Sequence, residues 1–143
     1  MAIQQSDVKY TAVATAEGGR DGRVAATDGK LDVVVNPPKE MGGSGDGTNP
    51  EQLFAAGYAA CFQGALGVVA RNEKVDITGS LVTAEVGIGS NDEGFGIIVA
   101  IKGAIPTVDA ETAKSLLEKA HQVCPYSKAT RGNIEVTLEV VSA

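Results

Sequence analysis

The chain has 143 residues, of which 43% are hydrophobic and 21% charged, a composition typical of a folded globular protein that excludes a disordered or fibrous one. This length suits one domain, so we expect residues 1–143 to form a single domain. With 12 basic and 18 acidic residues the net charge is −6, which disfavours a nucleic-acid-binding surface. One histidine and two cysteines are too few for most zinc sites, so no metal is expected.

The first ten residues, MAIQQSDVKY, contain no basic segment followed by an apolar run. A signal peptide would need both features, so we expect a cytoplasmic protein. Structural disulfides are rare in that compartment, which makes a purely stabilising bridge between the two cysteines an unfavoured interpretation.

An N-terminal meander of three strands is predicted. Residues 10–17 alternate small or apolar with polar residues and end at a Gly-Gly turn, while residues 23–27 and 31–35 flank an Asp-Gly pair that is typical of a hairpin. Residues 36–48, NPPKEMGGSGDGT, contain two prolines and four glycines. They predict a flexible loop that is long enough to suggest a functional role.

The first helix is predicted to begin after Asn49, a good N-cap, with Pro50 at its first position, Glu51 in its first turn and Gln52 at the capping-box position. The 19 residues from 52 to 70 carry no charge, a length close to that of a membrane span. Six alanines, three glycines and two glutamines dilute their hydrophobicity. We therefore expect a buried helix at the centre of the protein and no membrane.

The second half of the chain predicts a hairpin, a helix and a final strand. Residues 75–90 and 95–105 are rich in Val and Ile and flank the turn sequence Asn-Asp-Glu-Gly. Asp109 is predicted to cap the second helix, which Pro125 ends, and alternating apolar residues from Ile134 to Val140 indicate a last strand. Hairpin signals in this order predict an antiparallel α+β domain rather than a parallel doubly wound one. The glycines lack the strand–GxGxxG–helix context of a dinucleotide site.

The two cysteines allow two interpretations. Cys61 lies well inside the uncharged helix, where a thiol is commonly a small buried hydrophobic group with a raised pKa and no reactivity. A reactive Cys61 would need a nearby cation, which the helix dipole cannot replace so far from the helix end. Cys124 ends the second helix, where partial negative charge disfavours a thiolate, so it suits a resolving thiol better than a first nucleophile. Their separation of 63 positions says nothing about distance, but packing of the two helices would allow them to approach.

Two segments around these cysteines, NPEQLFAAGYAACF at 49–62 and HQVCPYS at 121–127 followed by ATRGN at 129–133, resemble the organic hydroperoxide resistance proteins. These form a branch of the osmotically inducible protein C superfamily. The likeness extends from about Tyr10 to Val140 and includes the GGRDGR turn at 18–23, the Gly-rich loop and Gly87-Ile88-Gly89. It implies antiparallel sheets wrapped around two central helices in an intertwined homodimer.

The resemblance also implies an activity: a cysteine-based peroxidase that reduces organic hydroperoxides to alcohols during oxidative stress. Cys61 would be the peroxidatic cysteine, passing through a sulfenic acid, and Cys124 would resolve it through a disulfide. Arg20 would stabilise the thiolate and the peroxide, and Glu51 would orient Arg20. No bound cofactor is implied, and the reducing equivalents would come from dihydrolipoamide or lipoylated proteins.

Ordinary roles stay open for the supporting residues. Arg20 also fits an exposed turn arginine, with Arg23 as its rival, and Glu51 also fits a simple first-turn residue. His121, in the last turn of the second helix, fits a helix-end partner better than a base. If Glu51 and Cys61 share one helix they lie roughly 15 Å apart along its axis, so we expect the site at or near a dimer interface.

Two residues depart from the usual family pattern. Gln63 stands where relatives carry an aliphatic residue, which raises the question of the polarity of the pocket, and Lys128 suits a surface position. A second class of function is a non-enzymatic redox-sensing or small-ligand-binding module that uses the same cysteine pair. No basic recognition helix supports a DNA-binding sensor.

Overall fold

The computed structural model describes residues 7–143. The chain divides into two compact units, of which the first ends at Pro50 and the second comprises Glu51–Ala143. The expectation that residues 1–143 form one domain stays a prediction.

The first unit contains an antiparallel sheet of three strands, β1 Ala14–Glu17, β2 Gly22–Ala26 and β3 Asp32–Val35, in the order β1-β2-β3. The predicted meander is confirmed, although β1 starts at Ala14 rather than at residue 10. The strand pairing starts at Ala14, which lies opposite Ala26, the last residue of β2. The turn between β1 and β2 needs glycine, because Gly18 and Gly19 have φ angles of 80° and 62°.

The Gly-rich segment after β3 has more structure than its composition suggests. It contains a short 3-10 helix, Lys39–Met41, and both of its ends are tied together by backbone hydrogen bonds. The Asn36 N–H donates to the Thr48 carbonyl at 2.9 Å, and the Thr48 N–H donates to the Val34 carbonyl at 2.9 Å. The segment is therefore a closed loop that returns the chain beside β3.

The second unit contains three helices and a second sheet: α1 Pro50–Glu73, β4 Leu81–Asn91, β5 Gly94–Ala104, α2 Ala110–Val123, α3 Pro125–Thr130 and β6 Val136–Val140. Pro50 begins α1 as predicted. The Asp109 carboxylate accepts a hydrogen bond from the Thr112 N–H at 2.7 Å, which confirms it as the N-cap of α2. The sheet order is β4-β5-β6.

Three features differ from the sequence prediction. β4 begins at Leu81 rather than at residue 75, because Asp76 accepts hydrogen bonds from both the N–H and the hydroxyl of Thr78 and so forms a turn. β6 runs parallel to β5, because α2 and α3 cross over between them, so the sheet is not antiparallel throughout. Pro125 does end α2, but it also begins α3, which the sequence analysis missed.

The core of the second unit forms where α1 packs against β5 and α2. Its largest fully buried side chains include Tyr58, Phe62 and Leu66 of α1 with Ile101 and Leu116. α1 is long and apolar enough to cross a membrane by length and composition, but the core helix of a soluble protein meets the same test. Among the described residues of one chain only 33% of its most apolar stretch is buried, less than expected for a helix at the centre of the protein.

Candidate active site

The two cysteines lie side by side in the second unit. Cys61 is on α1 and Cys124 is at the junction of α2 and α3, and the Cys124 thiol donates a weak hydrogen bond to Cys61 Sγ at 3.5 Å. Both thiols are free, with Cys61 partly exposed and Cys124 buried. A disulfide needs an S–S distance of about 2.05 Å, which small side-chain movements would reach from here. The expected approach of the two helices at the cysteines is confirmed.

Cys124 occupies two helix ends at once. It is the C-cap of α2 and the N-cap of α3, and its Sγ accepts the Ser127 N–H at 3.5 Å. Pro125 permits this arrangement, because proline suits the first position of a helix. The sequence predicted a thiol at the carboxyl end of α2, and the structure adds a backbone N–H donor from the first turn of α3.

The surroundings of Cys61 within the second unit oppose ionisation. Burial raises the pKa of the Cys61 thiol and outweighs a backbone hydrogen bond from Tyr126, which lowers it. The thiolate is the nucleophilic form of cysteine. A reactive Cys61 therefore requires a cation beside it, as the sequence argument expected.

An aromatic wall flanks Cys61 on α1. The rings of Phe54 and Tyr126 meet edge to face with centroids 6.0 Å apart, and both rings also contact Tyr58. Gly57 lets Tyr126 lie directly against α1, because a Cβ at this position would be 2.7 Å from the Tyr126 hydroxyl oxygen. By contrast, beyond the adjoining turns of α1, no atom of residues 7–143 lies within 4 Å of a Cβ placed at Gly64.

His121 takes part in a buried network that the sequence analysis did not foresee. Its Nδ1 lies 2.7 Å from the Ser127 hydroxyl, which is 2.8 Å from the Tyr58 hydroxyl. Tyr58 in turn lies 2.9 Å from the Thr130 hydroxyl. Burial, and then the charge of Arg131, lower the pKa of His121, which favours the neutral imidazole within this network.

The two arginines of the first unit have different surroundings. Arg23 donates from Nε and Nη2 to the two carboxylate oxygens of Asp32 at 2.7 and 2.5 Å, a bidentate pair within the sheet. Its charge is therefore already compensated. Arg20 lies exposed in the turn between β1 and β2, and its role stays a prediction.

Glu51 lies in the first turn of α1 and is partly buried. Because α1 is continuous from Pro50 to Glu73, the predicted separation of roughly 15 Å between Glu51 and Cys61 along the axis holds. The expectation of a site at a dimer interface stays a prediction.

The two departures from the family pattern do not reach the thiol pair. Gln63 is exposed and its Nε2 donates to the Ser80 carbonyl at 2.9 Å. Two residues along a helix are about 200° apart, so this amide and Cys61 lie on opposite faces of α1. Lys128 is exposed, as predicted.

This fold and its cysteine pair define an OsmC-like protein, since the family model described as OsmC-like protein matches residues 43–139. An organic hydroperoxide resistance protein of Xanthomonas axonopodis pv. citri is 56% identical over 92% of this chain and 94% of its own length. The chain belongs to the organic hydroperoxide resistance branch of the OsmC-like family.

Solved structures agree with this placement. The organic hydroperoxide resistance protein of Elizabethkingia anophelis is 50% identical, with a TM-score of 0.89 over 97% of this chain and 100% of that one. OhrB of Bacillus subtilis is 44% identical, with a TM-score of 0.85 over 94% of this chain and 100% of that one. These similarities confirm the predicted OsmC-like α+β fold.

Proposed function

We propose that this protein detoxifies organic hydroperoxides as a cysteine-based peroxidase. The observation that carries the proposal is the 3.5 Å distance between Cys61 Sγ and Cys124 Sγ in a member of this family. The Cys61 thiolate attacks the distal oxygen of the hydroperoxide, the O–O bond breaks, and an alcohol leaves after taking up a proton. Cys124 then attacks the resulting Cys61 sulfenic acid, forming a disulfide and releasing water.

Arg20 is the proposed cation for this site. Burial disfavours the Cys61 thiolate, and Arg20 stands at the arginine position of the GGR turn to which the family resemblance assigns this role. A guanidinium can stabilise the thiolate and donate hydrogen bonds to the peroxide oxygens at the same time. Glu51 would accept from the guanidinium and fix its orientation.

The substrate class follows from the aromatic wall. Phe54 and Tyr126 offer an apolar surface next to Cys61, and Tyr126 is 39% exposed, so an alkyl or fatty-acid chain could lie along it. Hydrogen peroxide gains nothing from such a surface. Equal catalytic efficiency for hydrogen peroxide and a fatty-acid hydroperoxide would contradict this preference.

A homodimer in the cytoplasm is the proposed setting. Several large apolar side chains of β4 and β5 are exposed, among them Ile98 at 56% and Phe95 at 77%, and covering them in a dimer would remove apolar surface from water. The disulfide would be reduced by a dithiol, dihydrolipoamide or a lipoylated protein, through exchange at the exposed edge of Cys61.

The test is steady-state consumption of cumene hydroperoxide with dihydrolipoamide as reductant. Wild type should turn over, Cys61→Ser should be inactive, and Cys124→Ser should react once and then accumulate oxidised Cys61. Absence of turnover by wild type, with the disulfide still forming, would favour the redox-sensing alternative. Unchanged turnover by Cys61→Ser would overturn the proposal.

A further inference from the structure

A buried hydrogen-bond network lies beside the cysteine pair and reaches it through Ser127, whose N–H donates to Cys124 Sγ. It joins the hydroxyls of Tyr58, Ser127 and Thr130 at 2.8 and 2.9 Å and ends on His121 Nδ1, 2.7 Å from Ser127 Oγ. The three hydroxyl-bearing residues are at most 5% exposed. Buried hydroxyls without partners are costly, so this network fixes the relative positions of the elements that carry it.

Those elements are the ones that carry the two thiols. Tyr58 precedes Cys61 on α1 by three residues, and His121 precedes Cys124 on α2 by three residues. The Ser127 hydroxyl of α3 contacts both Tyr58 and His121. The Ser127 backbone N–H also donates to Cys124 Sγ at 3.5 Å. One side chain thus connects the helix of the first thiol, the helix of the second and the short helix that Cys124 caps.

We propose that Ser127 is a positioning residue for the resolving step, holding Cys124 Sγ within reach of Cys61; this inference rests on the proposed peroxidase function. In that step the Cys124 sulfur bonds to the Cys61 sulfur, the S–O bond of the sulfenic acid breaks, and the hydroxyl leaves as water with the proton of Cys124. A second hydroperoxide molecule competes, oxidising the sulfenic acid to sulfinic acid and releasing another alcohol.

The position of Cys124 decides which reaction wins. Disulfide formation is intramolecular and depends on the distance between the two sulfurs, whereas over-oxidation depends on the hydroperoxide concentration. Ser127→Ala removes the hydroxyl that Tyr58 and His121 share while retaining the backbone N–H to Cys124. His121 Nδ1 then loses its partner, and the Tyr58 hydroxyl keeps only its hydrogen bond to Thr130, so the link from α1 through Ser127 to α2 is broken. The resolving step should slow, whereas attack of Cys61 on the hydroperoxide does not use these groups.

The experiment treats reduced protein with increasing cumene hydroperoxide and measures sulfinic Cys61 and the Cys61–Cys124 disulfide by mass spectrometry. In Ser127→Ala, half over-oxidation should require about tenfold less hydroperoxide than in wild type. Thr130→Val is the matched control, since it removes a buried hydroxyl of the same network and leaves the link from Tyr58 through Ser127 to His121 intact. It should resemble wild type, and Ser127→Thr, which retains a hydroxyl, should restore the disulfide.

Sulfenic acid formation in a Cys124→Ser background provides the second readout, and it should be equally fast with and without Ser127→Ala. Equal over-oxidation of Ser127→Ala and wild type, or an equal slowing of both steps, would overturn the positioning role. If Ser127→Ala does not fold, Tyr58→Phe removes the same link at 2.8 Å and should raise over-oxidation as well; wild-type behaviour would again overturn it. A wild type that forms neither species would overturn the proposed function itself.

Discussion

Adding a single methyl group at Gly57 should lower the peroxidase activity strongly while changing the stability of the fold little. In Gly57→Ala the new Cβ would lie 2.7 Å from the Tyr126 hydroxyl oxygen and 3.2 Å from Cε2 and Cζ of that ring. Ordinary contacts are about 3.5–4.0 Å, so the ring must move by about 1 Å. The backbone of Tyr126 makes a hydrogen bond to Cys61 Sγ, and the Tyr126 ring packs on Phe54. Movement of Tyr126 therefore disturbs both the thiol and the aromatic wall.

The energetic terms of Gly57→Ala nearly cancel. Overpacking costs about 1–3 kcal/mol, towards the low end here because the Tyr126 ring is partly exposed and can turn outwards. Alanine recovers about 1 kcal/mol of helix propensity. Unfolding in urea should therefore show a loss of roughly 0–2 kcal/mol, while kcat/KM for cumene hydroperoxide falls about tenfold or more.

Gly64→Ala on the same helix is the control, since its added Cβ meets no described residue outside the adjoining turns of α1 within 4 Å. It should gain about 0.5–1 kcal/mol in stability with unchanged kcat/KM, and its oligomeric state should be measured alongside. Wild-type kcat/KM in Gly57→Ala, together with the same gain in stability as Gly64→Ala, would refute the role assigned to Tyr126.

Three further predictions concern the charge of the site and the stability of the fold. Arg20→Gln should raise the pKa of the Cys61 thiol and so make its alkylation by iodoacetamide at pH 7 about tenfold slower. If the pH dependence of the alkylation rate does not change, another group activates Cys61. Burial and Arg131 lower the pKa of His121, so protonation favours the unfolded chain. The free energy of unfolding should therefore fall as the pH drops below about 6.5, more steeply in wild type than in His121→Gln, and equal slopes would contradict the argument. Asp109→Ala removes the 2.7 Å cap on α2 and should cost about 1 kcal/mol in urea unfolding with no change in kcat/KM, whereas Asp109→Asn should retain most of the stability.

Local signals predicted the fold well where local contacts decide it. Asp109 caps α2 through Thr112, three residues away, and the hairpin of β4 and β5 turns at the predicted residues between Asn91 and Gly94. The direction of β6 depends instead on the path of α2 and α3 between β5 and β6, which no short pattern reports. Likewise a proline can follow the end of a helix or occupy the first position of one. Pro125 does both, since it follows α2 and begins α3, and the sequence pattern alone does not show this.

In the candidate site too, features within one short segment could be predicted from the sequence, and contacts between distant segments could not. Dense motifs around Cys61 and Cys124 predicted a thiol pair, and the two cysteines do lie close together. The hydroxyl network was missed because its contacts join residues 69 and 72 positions apart. A sequence signal does exist, since Tyr58 and Ser127 each lie three residues from a cysteine. On a helix or at its first turn this spacing places them beside the thiol.

The central claim is that Cys61 is oxidised by an organic hydroperoxide and is then captured by Cys124. It is tested most directly by adding one equivalent of cumene hydroperoxide to the reduced protein and mapping its peptides by mass spectrometry without reductant. The account predicts a peptide pair linked through Cys61 and Cys124 in wild type, and a sulfenic acid on Cys61 in Cys124→Ser. Free thiols at both positions after the hydroperoxide has been consumed would contradict it.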